Sequence, residues 1–162
     1  MLSRERVLEV LNEVMDPEVP VISVVELGIV RDVTIDRDRV RVTVTPTYSG
    51  CPAMKVIEDD IRSALVSAGA VSVDVETTYA PAWTTDWIGT EAKEKLRAFG
   101  IAPPGRAESS ELVMLTRSSA PVACPYCGSS ATRLQSEFGS TACKAIHFCD
   151  ACRQPFDEFK AI

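Results

Sequence analysis

Two cysteine pairs near the C-terminus, Cys124-Pro-Tyr-Cys127 and Cys149-Asp-Ala-Cys152, have 21 residues between their inner members. A tight turn brings the sulfurs at i and i+3 of a CxxC to one point. Two such turns complete a tetrahedral all-sulfur cage. A tail of about forty residues cannot hold itself together by burial alone, so a bound ion would supply most of its folding free energy. Zinc is the ion expected in the cage, with iron on the same thiolates as its rival. Disulfides and ordinary buried thiols are the competing readings of these four residues.

The chain of 162 residues has room for one modest domain plus a small appendage, with a globular balance of 46% hydrophobic and 25% charged residues. No apolar run is long enough to span a bilayer, and the start, Met1-Leu-Ser-Arg-Glu-Arg, lacks the pattern of a signal peptide. A cytoplasmic location is expected, where thiols stay reduced and paired CxxC motifs signify metal. The formal net charge is −6. Residues up to Ala102 hold 17 acids and 11 Lys/Arg and account for all of it, while the tail holds six of each. Four thiolates around a divalent ion would take the whole to about −8. Such a surface repels phosphate backbones, so nucleic acid is not an expected partner and a basic protein partner is favoured.

Residues 3–15 read as a helix capped by Ser3, with Val7, Leu8, Leu11, Val14 and Met15 on one face. Asp16-Pro17-Glu18-Val19-Pro20 ends it. Ile29–Asp36 and Val40–Thr45 alternate apolar and polar around Asp36-Arg37-Asp38-Arg39, the pattern of a hairpin with Val40, Val42 and Val44 facing the core. Pro52 opens a second helix whose stripe is Met54, Ile57, Ile61, Ala64, Leu65 and Ala68, and Gly69 stops it. Val71, Val73 and Val75 suggest a third strand. The order αββαβ predicts a small α/β domain over residues 1–102, a three-stranded sheet with two covering helices. It would carry an aromatic loop at 79–89 and a short helix at 90–99. Residues 103–111 read as a linker and 112–162 as a small β-rich zinc ribbon, whose strands include Leu112–Thr116, Thr132–Gln135 and Ala145–Phe148.

Cys51 follows a Gly-containing turn and immediately precedes the Pro52 helix, where the dipole and free N–H groups stabilise a thiolate. Thr45, Thr47, Tyr48 and Ser49 line the approach with hydroxyls. A sulfur so placed can be a nucleophile, a redox thiol or a ligand for an exchangeable metal; it can equally be a small hydrophobe that begins a helix. The single histidine, His147, lies in the tail, which argues against a Cys–His hydrolase and toward metal or cluster handling. Asp16 and Glu18 flank Pro17: they read as a solvated turn, or as carboxylates that fold back toward Cys51. Cys143-x3-His147 is a second ligand pair in principle, although the symmetrical CxxC set leaves nothing missing. Cys143 is then a core thiol or a second labile sulfur. Trp83 and Trp87 read as a packing anchor or as a partner contact.

Asp16-Pro-Glu-Val-Pro20, Val25-Glu-Leu-Gly28 and Thr45-Pro-Thr-Tyr-Ser-Gly-Cys51-Pro52 resemble the small domain of cytosolic iron–sulfur assembly factors. Trp83-Thr-Thr-Asp-Trp87, Gly100-Ile-Ala-Pro-Pro104 and Phe138-Gly-Ser-Thr-Ala-Cys-Lys144, leading to Cys149-x-x-Cys152-x-x-Pro155-Phe156, are similar to the PaaD family. These are small proteins encoded with the bacterial phenylacetyl-CoA epoxidase. The resemblance spans essentially the whole chain. It implies a role in aerobic phenylacetate degradation as an accessory protein that matures the reductase's iron–sulfur cluster or assists the oxygenase's di-iron centre. Partners would be those epoxidase components, the structural ion zinc, and the transient cargo iron or an iron–sulfur cluster at Cys51. Two protomers share one cluster if their Cys51 residues meet across a homodimer, because one thiolate cannot complete it. No flavin or dinucleotide fingerprint and no Glu-x-x-His pair is present, consistent with that division of labour. The family's usual Asp-Leu-Gly is Glu26-Leu27-Gly28 here. The rival readings are a rubredoxin-like electron carrier and a structural adaptor of the same complex.

Overall fold

The computed structural model describes residues 2–105 and 121–162. The strand expected at Leu112–Thr116, and most of the expected linker, lie outside the described residues. The chain divides into two compact units: Met1–Trp83 with Trp87–Ala92, and Thr84–Asp86 with Lys93–Ile162. No described helix is long and apolar enough to cross a membrane.

The first unit is the expected αββαβ arrangement. Helix α1 covers Arg4–Asn12, and the Ser3 hydroxyl accepts the Arg6 N–H at 3.2 Å, which caps it. Strands β1 (Val30–Asp36) and β2 (Arg39–Val44) form the hairpin in antiparallel register, with Val33 opposite Val42. Its tight turn places Arg37 in the left-handed region at φ 57°. Helix α2 (Ala53–Ser67) carries the chain across to β3 (Ser72–Thr77), which pairs parallel to β2 and gives the order β1-β2-β3. Val40, Val42 and Val44 are buried as expected, together with Val7, Val10 and Leu11 of α1 and Ile57, Ile61 and Leu65 of α2.

Two expectations at element ends differ. The periodicity of α1 runs on to Met15, but the helix stops at Asn12 and Met15 is 42% exposed. The chain instead turns back: the Asp16 N–H donates to the Ile22 carbonyl and the Val24 N–H to the Val14 carbonyl, both at 2.9 Å. Val71 is also not part of the third strand. Its N–H donates to the Asp38 carbonyl at 2.8 Å while its side chain is 77% exposed.

The second unit is a four-stranded sheet in the order β4-β7-β6-β5. After α3 (Thr90–Ala98), β4 is the pair Ile101–Ala102, which lies parallel to Asp157–Glu158 of β7 (Pro155–Phe159). Strands β5 (Thr132–Ser136) and β6 (Lys144–Cys149) complete the ribbon in antiparallel pairing. Residues assigned from sequence to the end of the first domain therefore form an edge of the ribbon sheet. The reason is packing, since Ala102 joins Cys124, Cys149 and Phe156 in one buried cluster, with Val122 and Cys152 against it. Gly100 enters β4 at φ 90°, and a Cβ there would stand 2.6 Å from the Tyr126 hydroxyl, inside the first cysteine turn.

Candidate metal centre and upstream thiol

The two CxxC turns are built alike. In the first, the Cys124 N–H donates to the Ser129 carbonyl at 2.9 Å and the Gly128 N–H to the Cys124 carbonyl at 2.8 Å. In the second, the Cys149 N–H donates to the Gln154 carbonyl at 2.9 Å and the Arg153 N–H to the Cys149 carbonyl at 3.0 Å. Each turn needs a left-handed residue directly after its second cysteine, Gly128 at φ 73° and Arg153 at φ 62°. Glycine adopts that conformation freely, whereas for a residue with a Cβ it costs roughly 1–2 kcal/mol.

The four sulfurs lie within 4.8 Å of one another. Cys124 and Cys152 are 3.7 Å apart, and Cys127 and Cys149 are 3.6 Å apart. With metal–sulfur bonds of about 2.3 Å, the edge of a tetrahedral cage is about 3.8 Å, so two opposite edges are already at coordination length. These separations are far longer than a disulfide bond, which is about 2.05 Å. The four cysteines fit a metal site. Cys124 and Cys149 are buried, Cys152 is half-buried and Cys127 faces solvent. The Cys152 backbone N–H, pointing at the Cys149 sulfur, holds that thiol down at about 7. Burial, and then the Cys149 side chain, push Cys152 up to about 12. Metal binding takes thiolates, so it releases the protons of the thiols it captures.

Cys51 belongs to a different setting. Strand β2 ends at Val44 and the loop to α2 closes through Gly50 at φ 84°. The Cys51 N–H donates to the Tyr48 carbonyl, and the Cys51 carbonyl accepts the Met54 N–H, each at 3.3 Å. Among the described residues no side chain caps α2, so its first turn keeps N–H groups directed at this end of the loop. The thiol is half-buried. Thr45, at the start of the loop, is 1% exposed and its hydroxyl has no hydrogen-bond partner among the described residues. The Thr45 N–H donates to the Ile29 carbonyl and the Thr78 N–H to the Val44 carbonyl, both at 2.8 Å. Three connections thus meet where β2 and β3 end, the place where open α/β sheets hold ligands.

Asp16 sits in a local turn. Asp16 is 6% exposed and one of its carboxylate oxygens accepts the N–H groups of Glu18 and Val19, each at 2.8 Å. That is the turn reading, with the carboxylate bonding its own backbone. Glu26 has a role that sequence reading left open. Its carboxylate accepts the Ser23 N–H at 3.0 Å while the Ser23 hydroxyl accepts the Glu26 N–H at 3.1 Å, a reciprocal capping box. The Ser-x-x-Glu spacing was the available signal.

That turn ends on Gly28 at φ 79°, where an added Cβ would stand 2.9 Å from the Trp87 Cβ. Trp83 is packed inside at 4% exposure, and its indole N–H donates to the Leu27 carbonyl at 3.0 Å. Trp87 is half-buried with the Arg31 guanidinium 3.6 Å from its ring centre. The Trp83 ring and the Trp87 backbone thus meet one short turn. Gly28→Ala adds left-handed backbone strain of about 1–2 kcal/mol to an overpacking cost of about 1–3 kcal/mol. The expected result is a melting temperature lower by roughly 15 °C, checked by thermal denaturation; a shift below about 4 °C contradicts this packing.

Cys143 is 4% exposed and lies 3.0 Å from the Thr141 hydroxyl. His147 Nε2 is 2.6 Å from the Glu158 carboxylate and its ring stacks on Phe156. Neither belongs to the sulfur quartet.

Residues 108–160 match the family model of the PaaD zinc beta ribbon domain, and residues 4–69 match that of an iron–sulfur cluster assembly protein. The chain is 46% identical over 153 residues to an Escherichia coli protein named as a candidate component of 1,2-phenylacetyl-CoA epoxidase, covering 94% of this chain and 89% of that one. It is 36% identical over 92 residues to the Fe-S protein maturation auxiliary factor YitW of Bacillus subtilis, over 56% of this chain and 89% of that one. A crystal structure of a domain of unknown function from Bacillus anthracis superposes with a TM-score of 0.54 at 29% identity, over 57% of this chain and 89% of that one.

Proposed function

Because the chain belongs to the PaaD family, we propose that it is a maturation factor of the phenylacetyl-CoA epoxidase system, passing iron or an iron–sulfur cluster through Cys51. The observation that carries this reading is the separation of two kinds of sulfur. Four cysteines close on one another within 4.8 Å, while Cys51 stands half-buried at an uncapped helix start in the stretch that matches the assembly-protein model. The relatives of that stretch are named as auxiliary and maturation factors.

In this reading Cys124, Cys127, Cys149 and Cys152 hold zinc, which supplies four bonds that fix the ribbon and no chemistry at Cys51. The cargo sits elsewhere. Iron accepts the Cys51 thiolate at the uncapped start of α2. One thiolate is too few for a cluster, so its other ligands come from another chain, a second copy or the client. Transfer is ligand exchange: a client thiolate forms a bond to iron as the Cys51–iron bond breaks, and Cys51 takes up the proton the client thiol released. The half-buried position suits this, being shielded enough to hold a cluster and open enough to release it.

The test is transfer in solution. Protein loaded with iron and sulfide without oxygen is mixed with metal-free epoxidase reductase, and restored cluster absorbance is followed. The wild-type chain should restore it and Cys51→Ser should not. Equal restoration by both would rule this reading out.

A further inference from the structure

The second cysteine turn has an arginine where the first has glycine, although both turns require the left-handed conformation there. A sequence that needed only the turn would gain nothing from the longer residue, so its side chain has to account for it. The Arg153 guanidinium lies 5.2 Å from the centre of the Phe148 ring, and that of Arg133 lies 4.9 Å from the same ring. Arg133 is paired directly opposite Phe148 between β5 and β6, and both cations lie near that one ring and near the same Asp150 oxygen. Both side chains are mostly exposed, 57% for Arg133 and 73% for Arg153. Asp150 accepts one bond from Arg133 Nε at 3.2 Å and stands 4.0 Å from Arg153 Nη1, beyond hydrogen-bond length. Counting side chains alone, two guanidiniums and one carboxylate leave this face one positive charge ahead, in front of a cage that is itself negative, and most of about ten N–H donors stay open to water. Planar forks held against an aromatic ring lose little freedom on binding and match carboxylates two bonds at a time.

We propose that the Arg133–Phe148–Arg153 stack is a docking site for a carboxylate-bearing segment of a partner protein. Charge selects this occupant. Nucleic acid would also present anions, but the chain as a whole carries −6, a field that opposes a long polyanion. A short acidic segment can engage a local cationic patch without lying along the acidic remainder. Phe148 supplies apolar surface under the forks, so a carboxylate flanked by an aliphatic or aromatic residue fits best. The proposal takes its partners from the epoxidase reading and does not depend on the role of Cys51.

The experiment uses the metal-loaded full chain and three probes: the purified epoxidase reductase, the purified oxygenase components, and a labelled polyglutamate peptide as competitor. At least one component should bind, more weakly as salt rises, and polyglutamate should displace it. The R133E/R153E variant should bind about tenfold or more weakly with unchanged metal content. Arg153→Gly should weaken binding several-fold while raising the thermal midpoint, because it removes the left-handed strain and one cation together. The proposal is overturned if no component binds, or if R133E/R153E binds as well as wild type. It is also overturned if single-stranded DNA of equal charge binds more tightly than polyglutamate. Loss of metal with partner binding intact overturns it too, since the arginines would then serve only to balance the thiolates.

Discussion

Replacing Cys149 with serine, or stripping the ion with a strong chelator, should unfold the second unit while the first keeps its structure. Cys149 is fully buried and sits in a cluster of Ala102, Cys124 and Phe156 with Val122 and Cys152 beside it, so sulfur atoms form a large share of that core. Phe156 is the one large apolar group in that cluster, so little packing is left around the cage once it is broken. Structural zinc in small domains contributes roughly 10–16 kcal/mol of apparent binding free energy, as much as the whole stability of an ordinary domain, about 5–15 kcal/mol. Amide hydrogen exchange should lose protection across 132–159 and keep it across 30–77. Cys127→Ser should be milder, because that ligand faces solvent and water can take its place. Protection of β6 and β7 that survives metal removal would show that the ribbon core stands on burial alone.

Cys51→Ser should have the opposite profile. Cys51 lies just before α2 and is only half-buried, so the exchange of sulfur for oxygen should alter stability by no more than about 0.5 kcal/mol. The functional loss should be large. Serine offers a hard and protonated oxygen where iron in a cluster takes thiolate. The fall in epoxidase maturation should exceed the roughly 10–100-fold that loss of a supporting group costs a metal site. Growth on phenylacetate as sole carbon source is the readout, with zinc content and thermal midpoint as controls for the fold. Normal growth of the Cys51→Ser strain would remove the thiol from the mechanism.

The parts of this molecule that were legible from sequence are the ones specified locally. A CxxC turn fixes its own sulfur geometry, so the quartet could be read from spacing, and the four sulfurs do lie within 4.8 Å. The valines of β2 alternate because one face is buried, and all three are 1% exposed or less. What was missed depends on distant partners. Ile101–Ala102 is too short to show any period and becomes a strand only because β7 lies beside it. Phe156 and Phe159 of β7 fall on opposite faces and are both buried, so the strand lacks the alternation that would have revealed it. Met15 continues a helical pattern, but the Asp16 turn draws the backbone into pairing with residues 22–24 first. The strained place of Arg153 was hidden because only glycine advertises a left-handed residue, and the matching turn shows it at Gly128. Glu26 was readable in principle, since Ser23 precedes it at capping-box spacing.

The most direct test of the central claim is a metal count on three proteins purified without oxygen and then exposed to ferrous iron and sulfide: wild type, Cys51→Ser and Cys149→Ser. Wild type and Cys51→Ser should each keep about one zinc per chain, colourless, whereas ferric iron in that cage would be red. Iron and sulfide should be retained by wild type and lost from Cys51→Ser, and Cys149→Ser should lose its zinc. Zinc lost from Cys51→Ser, or iron and sulfide held by it as firmly as by wild type, would contradict the division between a stapling quartet and a working thiol.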